Sequence, residues 1–187
     1  MTVMRFAVLG ALAIGCLLSG SAEAGVLKSL QACGGKLCPS YAIDITPPDN
    51  WQLDTTASEE NRAQMLVPRG STFHDARAVI YVRVSPKGKE QPLADFIRVS
   101  QDRWRQSVAD TKILKLPVVE RSNGKGVFEP FRYENPGQPQ QPFEVVAFGI
   151  DTDNDGNDFI LTVVMSCKDQ KALEQAQAAY LELLRRH

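Results

Sequence analysis

Acidic side chains cluster in residues 151–158, which read Asp-Thr-Asp-Asn-Asp-Gly-Asn-Asp. The spacing of the first aspartates, followed by Gly156, matches the first half of a calcium-binding loop. Carboxylate oxygens at this spacing can converge on a hard cation, and the glycine allows the chain to turn sharply. The candidate calcium ligands are Asp151, Asp153, Asp155 and Asp158.

The second half of that motif does not follow. The position at which a calcium loop carries a bidentate glutamate is occupied by Thr162, inside an apolar run typical of a strand. Asp, Asn and Gly are also the residues that favour turns. The stretch therefore fits a polar hairpin loop as well as a cation site, and the sequence leaves both interpretations open.

Nucleophilic catalysis has few candidate residues. The chain has two histidines, His74 and His187, and a Ser-His-Asp or Cys-His site would need one of them as its base. His74 precedes a predicted strand, where we expect an exposed loop residue. No spacing singles out a pair of carboxylates for glycoside hydrolysis, and a zinc site is disfavoured by the small number of histidines. We therefore expect a protein that is not an enzyme.

The number of cysteines in the mature chain depends on whether the N-terminal segment is removed. Removal of residues 1–24 would take Cys16 with them and leave Cys33, Cys38 and Cys167. A short loop with two glycines separates Cys33 from Cys38, so the sequence favours a Cys33–Cys38 disulfide. Pairing of Cys167 with either of them is the alternative. The spacing is not C-x-x-C, which disfavours a redox-active pair.

The N-terminus has the pattern of a signal peptide. Arg5 precedes an apolar run over residues 6–18, and Ala22 and Ala24 form a cleavage box. The run is too short to span a bilayer as a helix. We expect cleavage after Ala24, a periplasmic or secreted chain, and no transmembrane span in the mature chain. Lipid anchoring through Cys16 is the minor alternative.

Composition narrows the class of protein further. The chain has 187 residues, of which 43% are hydrophobic and 23% charged, with a net charge of −1. This composition is typical of a globular domain. The balanced charge disfavours binding to nucleic acid.

Apolar periodicity predicts the elements that carry these residues. Residues 1–24 are the expected signal peptide, residues 25–40 an N-terminal segment with cysteines, and residues 41–187 a single α+β domain. Strands are predicted at 41–45, 51–53, 63–67, 78–84, 113–121, 127–133, 143–150 and 159–167. One helix is expected to begin at Pro92 and the other after Asp169 as its N-cap.

Several predicted strands are apolar on both faces. In residues 78–84 and 159–167, apolar side chains point to both faces of the strand, which is typical of a central strand covered on both sides. Pro117, in contrast, places its strand at an edge or a bulge. The 122–125 turn carries an Asn-Gly hairpin signal. The predicted fold is an α/β/α sandwich with a mostly antiparallel sheet flanked by two helices.

The order of these elements resembles a known family. An early strand is followed by Pro48-Asp49-Asn50-Trp51, then strands, a helix, an antiparallel meander and a C-terminal helix. This order resembles the PsbP-like fold, and within it the small exported bacterial proteins of the DcrB-like kind, over residues 41–186. The resemblance implies an α/β/α sandwich with accessory, binding or assembly roles and no shared catalytic machinery.

The expected function follows from the compartment, the absence of a catalytic motif and the resemblance. We expect a non-enzymatic periplasmic accessory or binding protein that interacts with another envelope protein. The alternative is a calcium-dependent structural or ligand-binding module that uses residues 151–158. The sequence does not specify the oligomeric state.

Overall fold

Residues 25–187 are described by the computed structural model, and within them the chain forms ten strands and three helices. The predicted signal peptide and Cys16 lie outside the described residues, as do the side chains of Ala32 and Cys33. The strands are β1 (Val26–Cys33), β2 (Lys36–Ile43), β3 (Trp51–Leu53), β4 (Gln64–Pro68), β5 (Ala78–Pro86), β6 (Lys112–Lys115), β7 (Val119–Glu120), β8 (Val127–Glu134), β9 (Phe143–Thr152) and β10 (Asp158–Cys167). The helices are α1 (Thr55–Asn61), α2 (Leu93–Ser107) and α3 (Gln170–Arg186).

The main sheet is antiparallel and is centred on β10. Its strand order is β3-β4-β5-β10-β9-β8-β6, and β7 also pairs with β8. Helices cover both faces of this sheet, so the predicted α+β sandwich is confirmed. None of the helices in residues 25–187 is long and apolar enough to cross a membrane.

The position of β10 follows from its side chains. Leu161 and Val163 are buried on the face that packs against α3, and Val164 is buried on the face that packs against α2. A strand with two apolar faces is stable only when both faces are covered. The alternation predicted for this strand is confirmed.

Helix α3 begins at its predicted cap. The Asp169 carboxylate accepts a hydrogen bond from the Ala172 N–H at 2.8 Å, which satisfies one of the free donors of the first turn. The buried face of the helix consists of Ala172, Leu173, Ala176, Tyr180, Leu183 and Leu184. The Tyr180 hydroxyl donates to the carbonyl of Val163 at 2.9 Å, so the helix is joined to the central strand by a hydrogen bond as well as by packing.

Helix α2 covers the other face with aromatic contacts. The Phe96 and Phe148 rings are 6.0 Å apart and close to perpendicular, as are those of Trp104 and Tyr133. Edge-to-face arrangements at this separation are favourable beyond the area they bury. The Trp104 indole N–H donates to the Asn135 side chain at 3.2 Å, which ties the helix to the loop after β8.

The predicted strand over residues 113–121 is interrupted as Pro117 implies. It forms two short strands, β6 and β7, on either side of residues 116–118. Proline has no N–H to donate to a ladder. This edge of the sheet is therefore bent out of the regular pairing.

Two local elements differ from the sequence-based expectations. Residues 54–61 belong to none of the predicted elements, but Asp54 caps the short helix α1 there by accepting from the Ala57 N–H at 3.0 Å. The expected strand over residues 41–45 is the end of a longer strand, β2, which pairs with β1 in a separate two-stranded sheet. Gly34 and Gly35 both have positive φ at its turn, as a two-residue hairpin requires.

Candidate functional site

The 151–158 stretch forms the tight turn between β9 and β10. Its central carboxylate, Asp153, is buried and accepts hydrogen bonds from the backbone N–H groups of Asp155 and Asn157 at 2.8 and 2.9 Å. The Asn157 side-chain amide also donates to Asp153 at 3.0 Å. Asp153 therefore organises the turn by accepting from the turn's own backbone.

Lys28 on β1 reaches this turn from the hairpin. Its Nζ lies 2.6 Å from the Asp153 carboxylate and 2.9 Å from that of Asp155. These hydrogen bonds hold the pKa of Lys28 above its ordinary value, and the contact with Lys28 holds the pKa of Asp153 below its own. The β1–β2 hairpin is thus fastened to the β9–β10 turn by a charged contact.

The two outer aspartates of the stretch face other cations. Asp151 is buried and lies 3.3 Å from the Arg121 guanidinium, which also donates to the carbonyl of Ile150 at 2.7 Å. Asp158 lies 3.3 Å from the Lys87 amine. Burial lowers the pKa of Arg121, and the adjacent Asp151 opposes that effect.

The four predicted calcium ligands therefore already face basic side chains: Asp153 and Asp155 share Lys28, Asp151 faces Arg121, and Asp158 faces Lys87. Among residues 25–187, no cluster of three or more His, Cys, Asp or Glu side chains has the arrangement of a metal site. For calcium to bind here, it would have to displace Lys28 from Asp153 and Asp155. The calcium site stays a prediction, and this competition provides its test.

If the loop binds calcium, millimolar calcium raises the melting temperature of the protein, and it does so more strongly in Lys28→Met, where the competing amine is gone. Thermal unfolding with calcium or with a chelator measures both effects. Lys36→Met, at the hairpin turn, is the matched control. An unchanged melting temperature in all three proteins contradicts a calcium site.

The β1–β2 hairpin is attached to the sandwich at one end. The Gln64 side chain exchanges two hydrogen bonds with the backbone of Ile43, at 2.6 and 3.1 Å. The Tyr41 ring packs 5.1 Å from that of Phe159. These contacts and the Lys28 contact all lie in the half of the hairpin that is farther from its turn.

The half of the hairpin nearer the turn exposes large apolar side chains. Leu30 is 66% and Leu37 is 69% exposed. Leu30 lies opposite Pro39 and two residues from Lys28, so it shares a face with the Lys28 and Tyr41 side chains that contact the sandwich. At its inner end, this face of the hairpin packs against the sandwich. At its outer end, the same face is apolar and exposed to solvent. We call residues 26–43 the arm.

Sequence reasoning did not identify the arm as a candidate site. The Gly34-Gly35 pair was a usable hairpin signal, but it was interpreted as a loop closed by a disulfide. Alternation in residues 26–33 is weak because most of this strand is exposed.

The cysteines are settled in part. Cys167 is free and buried, which makes the alternative pairing of Cys167 with Cys33 or Cys38 wrong. The reason is its place at the end of the central strand, inside the α3-side core. The backbone register sets Cys33 opposite Lys36 and Cys38 opposite Gln31. Because the side chain of Cys33 lies outside the described part, the Cys33–Cys38 disulfide stays a prediction.

His74 and Cys167 line the same shallow depression of about 170 Å³. Burial, with a contribution from the Glu144 carboxyl, raises the pKa of Cys167 to about 12, so its thiol is protonated near neutral pH. His74 is exposed. His187 is buried, and burial, with the nearby Arg121, lowers its pKa. The thiol is thus not activated as a nucleophile requires.

Glu144 is a buried acid that the sequence analysis did not single out. It is 3% exposed, and burial raises its pKa to about 7, although the nearby Ser166 hydroxyl partly opposes that shift. Its register partners are Tyr133 on β8 and Ser166 on β10. Its burial could have been inferred from the alternation of the strand, because Glu144 lies on the same face as Val146 and Phe148.

Comparisons with known proteins do not add a family. No protein-family model matches the chain, and no match is found among curated proteins. The PsbP-like and DcrB-like resemblance therefore stays a prediction.

Proposed function

We propose that this chain is an exported, non-enzymatic accessory protein of the periplasm that binds another envelope protein through the arm. The observation that carries the proposal is the exposure of Leu30 and Leu37 on one face of a hairpin that, within the described part of the chain, is anchored at its inner end. Exposed apolar patches on otherwise polar surfaces are typical of interaction sites.

The anchoring of the arm supports a binding role. An isolated two-stranded hairpin is marginally stable in water, so an arm of this kind needs external contacts to keep its shape. Gln64, Tyr41 and Lys28 supply these contacts at the inner end. A partner that covers Leu30, Pro39 and Leu37 would supply them at the outer end.

A binding role also fits the chemistry of the sandwich. The thiol of Cys167 is buried with a raised pKa, and His74 lies on an exposed loop. A binding protein needs a stable surface and no activated nucleophile, so these environments agree with an accessory function.

Site-specific photo-crosslinking in cells that naturally contain the protein tests the proposal. A photoreactive residue at position 30 is expected to capture one envelope protein, and Leu37→Asp is expected to reduce that product strongly. The matched control places the same residue at Val99, which is 38% exposed on α2, and should give no such product. Crosslinks only between copies of this chain, or equal products from both positions, would contradict the proposal.

A further inference from the structure

A second apolar surface lies on the opposite side of the sheet from α2, between α3 and the bent edge of the sheet. It is a groove of about 390 Å³. Its floor is formed by Pro130, Val145 and Met165, and the irregular segment at residues 116–118 forms one wall. The volume falls within the range of small-molecule sites, about 300–1,000 Å³.

The other wall is a stripe along α3. Leu173, Gln177, Leu181 and Arg185 all line the groove, and their spacing of four residues places them on one face of the helix. The stripe is largely apolar from its start to Leu181 and ends in a guanidinium. An apolar trough with a cation at one end is the result.

The two arginines of the groove differ in their partners. Arg132 lies 3.1 Å from the Glu134 carboxylate, although its buried Nε has no hydrogen-bond partner among the described residues. Arg185 is exposed, and in residues 25–187 it forms no ion pair with a carboxylate. The guanidinium of Arg185 is therefore the positive charge in this groove that is available to a ligand.

We propose that this groove binds a single-chain amphiphile with an anionic head group, of the fatty-acid class. The chain would lie along Leu173 and Leu181, and the head group would meet Arg185. A peptide strand fits less well, because Pro117 and the break between β6 and β7 deprive this edge of a regular row of backbone donors. The inference is independent of the arm, since the two surfaces share no residue.

Isothermal titration calorimetry of the purified protein tests the groove with four probes. Laurate is expected to bind saturably at one site, with a negative heat-capacity change from burial of its chain. Dodecyltrimethylammonium has the same chain with the opposite charge, and acetate has the carboxylate without the chain, so both should bind far more weakly. Dodecyl phosphate distinguishes the head groups: weaker binding than laurate supports the fatty-acid class, and tighter binding than laurate contradicts it.

Variants with matched controls locate the site. Arg185→Gln is expected to weaken laurate binding about fivefold, the size of a partly exposed ion pair. Arg186→Gln removes the neighbouring charge, which pairs with Glu182 outside the groove, and should leave laurate binding unchanged. Val118→Trp should abolish binding by filling the groove, whereas Val127→Trp, at an exposed position outside it, should not.

Three further outcomes would overturn the inference. They are the absence of saturable laurate binding, equal binding of the cationic amphiphile, and equal effects of Arg185→Gln and Arg186→Gln. Circular dichroism of each variant verifies that it is folded, and the conservative Arg185→Lys should retain most of the binding.

Discussion

Glu144 illustrates, at the scale of one residue, how burial sets a side chain's charge. Its pKa is raised from an ordinary value of 4.5 to about 7 because burial removes the carboxyl from water. Between these two pH values the folded protein holds a proton that the unfolded chain has released. Stability therefore falls as pH rises through this window.

We predict that Glu144→Gln removes this pH dependence. Near pH 4, where the carboxyl is protonated in both states, the variant and the wild type should have similar free energies of unfolding. At pH 8 the variant should be the more stable, by up to about 3 kcal/mol, because it never places a charge in the core. Urea denaturation at both pH values measures the difference.

The exposed Glu174 on α3 provides the control. Glu174→Gln should change stability little at either pH. A Glu144→Gln variant that is less stable than the wild type at pH 8 would show instead that the ionised carboxylate stabilises the fold.

Side chains of this kind are only partly predictable. The alternation of β9 places Glu144 inward, so its burial could be inferred from its parity with Val146. The pairing of Asp151 with Arg121 could not, because it joins β9 to the turn beside β7, and no local pattern relates the two positions.

At the scale of elements, the cap of α3 combines two interactions. The Asp169 carboxylate accepts from the Ala172 N–H at 2.8 Å and also contacts the Arg77 guanidinium. The first interaction stabilises the helix start, whereas the second is an exposed ion pair of small value.

We predict that Asp169→Ala lowers the free energy of unfolding by about 1 kcal/mol. Asp169→Asn retains an acceptor for the Ala172 N–H and removes only the charge, so its cost should be less than half of that. Urea denaturation of both variants separates the two interactions. Equal losses would mean that the ion pair with Arg77 dominates.

Long, strongly periodic elements were predictable, and short or exposed ones were not. The apolar stripe of α3 and the two-faced β10 follow directly from the positions of their buried residues. Helix α1 has a single buried residue, Ala57, so it carries almost no periodicity. Its signal was the cap at Asp54, and the polar residues that follow obscured that signal.

At the scale of the whole molecule, the redox state of the cysteines indicates whether the protein folds in an oxidising compartment. If Cys33 and Cys38 are paired, the mature protein should release a single titratable thiol on denaturation, from Cys167. In the folded state this thiol should react slowly, because it is buried. Thiol titration with and without denaturant checks both statements.

Cys167→Ala should remove the remaining thiol completely. Titration of additional thiols in the denatured mature protein would contradict the Cys33–Cys38 pair.

The predicted signal peptide has an equally direct test. Mass spectrometry of the exported protein should find Gly25 as its first residue. A diacylated Cys16 at the N-terminus would contradict cleavage after Ala24 and favour the lipid-anchored alternative.

The layered fold could be predicted because it depends on the faces of individual elements. The arm and the groove depend on how elements meet. The groove exists because α3 passes beside the bend at residues 116–118, and the arm because β1 and β2 pair with each other and not with the main sheet. Contacts between elements that are distant in the sequence cannot be predicted from the periodicity of either element.

The pairing of β10 with β5 has a consequence for the order in which the chain can fold. Ala78 lies opposite Cys167, and Pro86 lies opposite Phe159, so the middle of the sheet joins two distant parts of the sequence. Contacts of long sequence separation form slowly, since a long loop must close first. During synthesis, β3 to β9 lack their central strand until nearly the whole chain has been made. The sheet is therefore completed only near the end of synthesis, and the core can form only once the last helix, α3, has followed β10.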